Sequence, residues 1–332
     1  MFYSIRHVTR FVYTPPVTES MTEVRMQPRA EGGQRCLKFE LHTQPRARIL
    51  GYRDHLGNIV HHFDIPGKHS QLKITAESTV EIAPAPPLPK SLDAGAWEAM
   101  DAIDRSGAYW DYLAPSQYAF KTELLAELAR ELRVKRRGDP LSLLREINAA
   151  IYESFDYKPQ STSVDSPIDD ALRMRVGVCQ DYAHIMIALA RELRIPCRYV
   201  SGYLFHEGNG HDRSAAGASH AWVEAYLPEL GWVGFDPTNN PIAGERHIRT
   251  AIGRDYADVP PTRGVFKGLA QSELSVGVQV SPAEAPPPEE EMAPMTTWIA
   301  PAPVEDDQQQ RQQYMKRAHI AVLGFNSHTH QQ

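Results

Sequence analysis

Cysteine, histidine and aspartate, in that chain order, carry the clearest chemistry in this sequence: Cys179, His220 and Asp236, separated by 41 and 16 residues. Cys179 stands in Gly177-Val178-Cys179-Gln180-Asp181-Tyr182-Ala183-His184. A glycine two residues ahead allows a sharp turn. An apolar-periodic helix (Ala183, Ile187, Ala190) then runs from the cysteine onwards. The spacing therefore puts the sulfur at a helix N-terminus, where free N–H groups and the helix dipole favour a thiolate, the nucleophilic form. A small buried hydrophobe is the other reading of a free cysteine.

A thiolate needs a base and an orienting group. His220 opens a strand in Ser219-His220-Ala221-Trp222-Val223-Glu224, and Asp236 closes the next in Gly231-Trp232-Val233-Gly234-Phe235-Asp236-Pro237-Thr238. A hairpin at Pro228–Gly231 would bring these ends side by side, slightly offset but within reach. Nucleophile, general base and a carboxylate that fixes the imidazole tautomer are then assembled. Taken singly, His220 also reads as a strand histidine and Asp236 as a turn-former before proline. Trp222, beside His220, either shields the pair from water, shapes an acyl tunnel, or simply fills the core. His184 is turned away from the Cys179 face and reads as structural.

The elements that must hold these residues fall into four stretches. Residues 1–83 alternate apolar and polar positions, as in Leu37-Lys38-Phe39-Glu40-Leu41-His42 and in Leu72, Ile74, Ala76, Val80 and Ile82 against Lys73, Thr75, Glu77, Thr79 and Glu81. This is the period of half-buried antiparallel strands, and five or six short ones would make a small β-sandwich. Asp54–Asn58 reads as a hairpin turn. Residues 84–90, rich in proline, form a stiff linker. Residues 91–275 are expected to hold a helical lead-in and an α+β core. Leu124, Leu125, Leu128 and Leu132 mark one helix, and Asp139-Pro140 starts another. Helices are expected after Ser166-Pro167 and from Cys179 to just before Pro196. Strands are expected at Cys197–Leu204, His220–Leu227 and Trp232–Phe235. Residues 276–332 read as an acidic, Pro/Gln-rich, largely disordered tail.

Composition limits the alternatives. Of 332 residues, 42% are apolar and 23% charged, enough for a sizeable core. The formal net charge of −6 argues against a nucleic-acid binder. No apolar run has membrane-spanning length, and Arg6, His7 and Arg10 interrupt any signal-peptide core, so no membrane association is expected. Three cysteines, Cys36, Cys179 and Cys197, make no disulfide framework and suit a reducing cytoplasm. No metal or other cofactor is expected. His61-His62 is a strand dipeptide facing both ways. His206 and His211 lie in a glycine-containing loop, read as a solvated loop in preference to a lid. His328 and His330 belong to the tail.

The segment from about 140 to 260 resembles the transglutaminase-like fold of the papain-like cysteine enzyme superfamily. The resemblance rests on the Gly177–His184 stretch, on Ile195-Pro196-Cys197-Arg198-Tyr199-Val200-Ser201-Gly202-Tyr203, and on the His220 and Asp236 strands. Phe155-Asp156-Tyr157 resembles a segment upstream of the nucleophile, and the first 80 residues resemble the β-rich N-terminal region of bacterial members. The resemblance implies an α+β architecture: an N-terminal antiparallel β-sandwich followed by a papain-like, transglutaminase-core domain. It implies Cys179 as nucleophile, His220 as base and Asp236 as its orienter. The Cys179 N–H is the natural first oxyanion donor. Tyr157 is a candidate second donor, with core packing the stronger reading. The expected activity is thiol-dependent amide acyl transfer through a Cys179 thioester. The expected substrate is a protein or peptide with a Gln side chain or peptide-bond amide, and water or an amine is the acceptor. A catalytically inactive scaffold that binds a protein is the alternative.

Overall fold

A computed structural model describes residues 1–208 and 212–285. The N-terminal part is built on two long strands, β1 (Phe2–Val24) and β4 (Ile59–Ile82). Shorter β2 (Gln34–Gln44) and β3 (Leu50–Arg53) lie between them in sequence. β1 and β4 pair antiparallel along most of their length, with register shifts between Val12, Val17 and Glu19. Pro15 and Pro16 fall inside this break, where they remove ladder donors. The long pair is thereby divided into two halves. β2 flanks one half of β4 and β3 the other. Val17, Val24, Phe63 and Ile65 from one half and Tyr13, Leu72 and Ile74 from the other form one buried cluster. The sandwich is therefore two halves of a single bent sheet, rather than a set of short strands. Leu72, Ile74, Ala76, Val80 and Ile82 are all buried, as their alternation demands. The Asp54 turn also forms: its carboxylate accepts the Leu56 and Asn58 N–H groups.

After the proline-rich stretch come α1 (Ala96–Ser106), α2 (Trp110–Leu113), α3 (Glu123–Glu131) and α4 (Pro140–Ser154). Asp139 caps α4 by accepting the Leu141 and Ser142 N–H groups, with Pro140 at the first helical position. Next are β5 (Asp156–Tyr157), α5 (Ile168–Met174), β6 (Val176–Gly177) and α6 (Cys179–Glu192). Every residue of α6 from Gln180 to Arg191 is buried. It is the central helix of the core. Antiparallel strands β7 (Cys197–Leu204), β8 (His220–Leu227), β9 (Gly231–Phe235) and β10 (His247–Gly253) complete the core in the order β10-β7-β8-β9.

The chain then departs from the sequence reading. β11 (Thr262–Lys267) and β12 (Gln271–Pro282) return to the N-terminal sheet, both pairing with β1. The boundary at 275/276 is thus displaced, since the first residues assigned to a tail are sheet. The expected tail from 286 on, with His328 and His330, lies outside the described residues. The alternation of β12 was hidden because its residues are mostly exposed at a sheet edge.

The two parts are joined by buried polar contacts. Gln34 accepts the Arg249 N–H and donates to its carbonyl, at 2.8 Å each. Asn58 does the same for Ile252. Fully buried Glu224 pairs with Arg198 and Arg249, and Arg198 reaches Glu31 at 2.9 Å. Burial favours the neutral acid, but the two guanidinium groups outweigh it and hold the Glu224 pKa down.

Candidate active site

Cys179 is the first residue of α6, so its N–H has no acceptor within the helix. The turn before it is held by Asp181, whose carboxylate accepts the Val178 N–H at 2.8 Å and the Thr162 hydroxyl at 2.6 Å. Gly177 is required here, because an added Cβ would lie 2.9 Å from the Asp181 side chain. The sulfur is partly exposed, whereas Cys197 is fully buried in β7 and its thiol is pushed up to about 12. All three cysteines are free.

The β8–β9 hairpin has the expected offset. Its register runs from Leu227↔Gly231 to Val223↔Phe235, so Asp236 lies one step further, opposite Trp222 and diagonal to His220. His220 Nε2 donates to Asp236 Oδ2 at 2.8 Å, and both side chains are buried. The other ring nitrogen, Nδ1, is buried and has no hydrogen-bond partner among the described residues. Cys179 is close enough to add to the upward push on this imidazole. Burial works against a charged imidazole. The Asp236 charge and hydrogen bond, reinforced by Cys179, outweigh it and raise His220 to about 10. Burial likewise works against the Asp236 carboxylate, but His220 and His247 hold its pKa well below the usual range. The resting form these interactions favour is an imidazolium paired with the Asp236 carboxylate.

His247, which the sequence reading passed over, is the second histidine on Asp236. Its Nδ1 accepts the Gly244 N–H, so Nε2 carries the proton and donates to Asp236 Oδ2 at 3.2 Å. Burial lowers its pKa and keeps it neutral. Asp236 also accepts from the Asn239 side chain and from the Thr238 and Asn239 N–H groups. Such a set of donors fixes both the charge and the orientation of the carboxylate. His247 was illegible because it enters from β10, a strand with no chemical motif of its own. The donor atoms of His220, Asp236 and His247 all lie within 4.8 Å of one another. These three could together offer ligands to a metal ion, a grouping the sequence reading did not foresee. Both histidine protons facing Asp236 would have to be displaced first.

Trp222 is fully buried and stacked on His220, with ring centroids 6.0 Å apart at 24°. It backs the imidazole and does not line the open cleft, which removes the acyl-tunnel reading. Tyr157 is half-buried against the core, and its hydroxyl accepts the Ala215 N–H at 3.2 Å. It anchors the chain at Ala215, and burial, with Cys179 next, raises the pKa of its hydroxyl. Arg213 and Ser214 are held by Asn239, which accepts their N–H groups. His211 lies outside the described residues. His184 is buried, accepts the Tyr256 N–H and stacks on Tyr118, a structural placement.

Cys179 and His220 open into a cavity of about 390 Å³. Tyr199 and Ser201 of β7 line it from the core, and Phe11, Leu274 and Val276 line it from the N-terminal sheet. Burial, with Cys179 next in weight, keeps the Tyr199 hydroxyl protonated far into the alkaline range. The sheet wall of this cavity was missed because its residues are distant in sequence and chemically plain.

The geometry now stands beside known proteins. Residues 126–237 match the transglutaminase-like superfamily, and residues 3–81 match the bacterial transglutaminase-like N-terminal region. An uncharacterized protein of Mycobacterium leprae is 33% identical over 276 residues, covering 83% of this chain and 96% of that one. A protein-glutamine gamma-glutamyltransferase of Pseudomonas aeruginosa is 31% identical over 164 residues, 45% of this chain and 23% of its own. A crystal structure described as a candidate cysteine protease of Cytophaga hutchinsonii superposes with a TM-score of 0.66 at 22% identity, covering 86% of this chain and 93% of that one. The chain belongs to the transglutaminase-like superfamily, in the form that carries the bacterial N-terminal region. Its architecture is α+β: an antiparallel β-sandwich followed by a papain-like core.

Proposed function

We propose that this protein is a thiol-dependent amide acyl enzyme in which Cys179 is the nucleophile, His220 the proton carrier and Asp236 its orienter. The observation that carries the reading is the buried 2.8 Å His220–Asp236 bond, with the second ring nitrogen left for Cys179 at the mouth of an open cavity. The Cys179 sulfur attacks the carbonyl carbon of a carboxamide. The Cys179 N–H, which has no acceptor within α6, is placed to stabilise the oxyanion. His220 gives its proton to the departing ammonia or amine, leaving a thioester and a neutral imidazole. His220 then takes a proton from the incoming water as it attacks the thioester, which releases the acid and restores the ion pair.

The substrate is a peptide or protein carrying a glutamine side chain or peptide amide. The kinship with a gamma-glutamyltransferase supports the first. Hydrolysis is the preferred outcome, since the cavity is open to solvent and so does not exclude water as the acceptor. Three free cysteines support a reducing, cytoplasmic setting. The test is incubation with glutamine-containing peptides, with and without a primary amine, read by mass. Ammonia loss, amine gain and chain cleavage give three distinct shifts. Cys179→Ala should abolish all turnover and all iodoacetamide labelling at that position while circular dichroism is unchanged. Undiminished turnover in the variant would sink the proposal.

A further inference from the structure

β12 is an edge strand. Among the described residues it pairs with β1 on one side only. On its other side, the Val278 N–H donates to the Gly217 carbonyl at 2.9 Å. In an antiparallel ladder, residues of one parity send both N–H and C=O to the same edge. Val278 therefore fixes the parity: Leu274 and Val276 direct their backbone groups away from β1. Pro282 fits this assignment, since it lies at an outward position where no β1 donor is lost. The inward parity is confirmed by Ala283, whose N–H reaches the Phe2 carbonyl on the β1 side.

The side chains of these same residues line the cavity that holds Cys179 and His220. Leu274 is 56% exposed and Val276 47%, a high exposure for apolar residues flanking a buried ion pair. Their ladder neighbours Phe11 and Thr9 complete the wall. The Gly217 carbonyl occupies the first pairing position of this edge, and Gly217 is three residues before His220. A strand continuing past Gly217 along Val276 and Leu274 would run beside residues that wall the reactive cavity.

We propose that the substrate binds as an extended polypeptide that adds a strand to the β12 edge left unpaired among the described residues, with apolar side chains at alternate positions against Leu274, Val276 and Phe11. This rests on the proposed chemistry only for the reactive amide; strand addition itself needs none. Main-chain pairing supplies affinity, and alternate side chains supply selectivity. A free amino acid or small amide lacks the ladder and is excluded as a good substrate. An edge of this kind is normally blocked by charge or proline; Pro282 blocks one end of it, and among the described residues no backbone group pairs with Val276 or Leu274 on the outer side, beside the nucleophile.

The test separates binding from turnover. Full-length Cys179→Ala is titrated with a panel of fluorescein-labelled eight-residue peptides. Each has lysine ends, a central glutamine and Val, Leu or Phe at alternate positions. The best binder is then remade with N-methyl groups on alternate residues, in two versions of opposite parity. Strand addition predicts that one version loses affinity, by roughly fivefold or more per donor removed, while the other does not. Val276→Lys in the same background should weaken the unmodified peptide. Equal affinity of both versions, or no binding by any peptide in the panel, overturns the inference. It would do so even if wild-type protein releases ammonia from glutamine peptides, which upholds the chemistry alone. Parity-dependent binding in a protein whose wild type shows no turnover upholds the strand edge alone. A dimer in sedimentation that peptide does not dissociate, together with no parity effect, assigns the edge to a second copy and also overturns it.

Discussion

His220 draws its character from Asp236. Burial by itself lowers the pKa of an imidazole, so the upward shift to about 10 is the carboxylate's effect, with Cys179 adding to it. A raised histidine holds its proton until the pH climbs through the folded value. The step in which His220 protonates the leaving group should therefore persist up to about pH 10 and fail above it. Asp236→Asn removes the raising charge and leaves the burial. We expect the alkaline loss of kcat to move well below pH 10, with activity at pH 8 reduced on the order of 100-fold or more. A pH profile of kcat for both proteins decides this, and an unmoved alkaline limb would contradict it. The Cys179 and Asp236 positions were legible because each follows or precedes a turn-forming residue at an element end. His247 was not: its part depends on a Gly244 N–H that selects its tautomer, which no spacing in the sequence records.

Among the elements, β7, β8 and α6 show how closely the site is packed from behind. β7 passes so near its neighbours at Gly202 that an added Cβ would lie 2.1 Å from the Ile248 carbonyl oxygen and 2.7 Å from Trp222. Trp222 is the ring that backs His220, so the glycine sets the imidazole's position through it. Gly202→Ala should destabilise the protein by about 1–3 kcal/mol, as overpacking of a dense core does. Thermal melting measures this, and an unchanged Tm would show that β7 and β10 can separate freely. The 3.6-residue periods of α3 and α4 were readable because each helix turns an apolar stripe to the core, and the hairpin of β8 and β9 because a turn sequence joins two apolar runs. β10, β11 and β12 were not read as strands. β12 shows solvent most of its length, and its pairing with β1 spans nearly the whole chain.

On the scale of the molecule, buried neutral histidines make stability depend on acid. Burial lowers His7 to about 4 and His184 to about 3. Below pH 6.5 the unfolded chain takes up protons on these rings while the folded one does not. The unfolded state then binds more protons, and stability falls as pH drops from about 6.5 towards 4. We expect a progressive decrease of Tm over that window, partly relieved in His7→Gln, as followed by differential scanning calorimetry. A flat profile would mean the rings are already protonated in the fold. His7 hydrogen-bonds Tyr203 at 3.0 Å across the two parts of the chain, so this acid sensitivity belongs to their junction. Gln34, Asn58 and Glu31 tie the same junction from other points, which holds the sheet wall of the cavity against Cys179 and His220.

The sequence by itself determined the local events: which stretches alternate, where helices are capped, and that a thiol, an imidazole and a carboxylate sit at the ends of three elements. Those follow from neighbours a few residues apart, and short-range sterics and periodicity suffice to write them. Only the tertiary structure decided that a third wall of the cavity comes from β1 and β12, and that Asp236 serves two histidines. Tertiary packing also chose among the open readings of Trp222, sealing it behind the imidazole and away from the cleft. Such outcomes depend on the register and bend of strands more than 200 residues apart, which the pattern within any one segment does not encode.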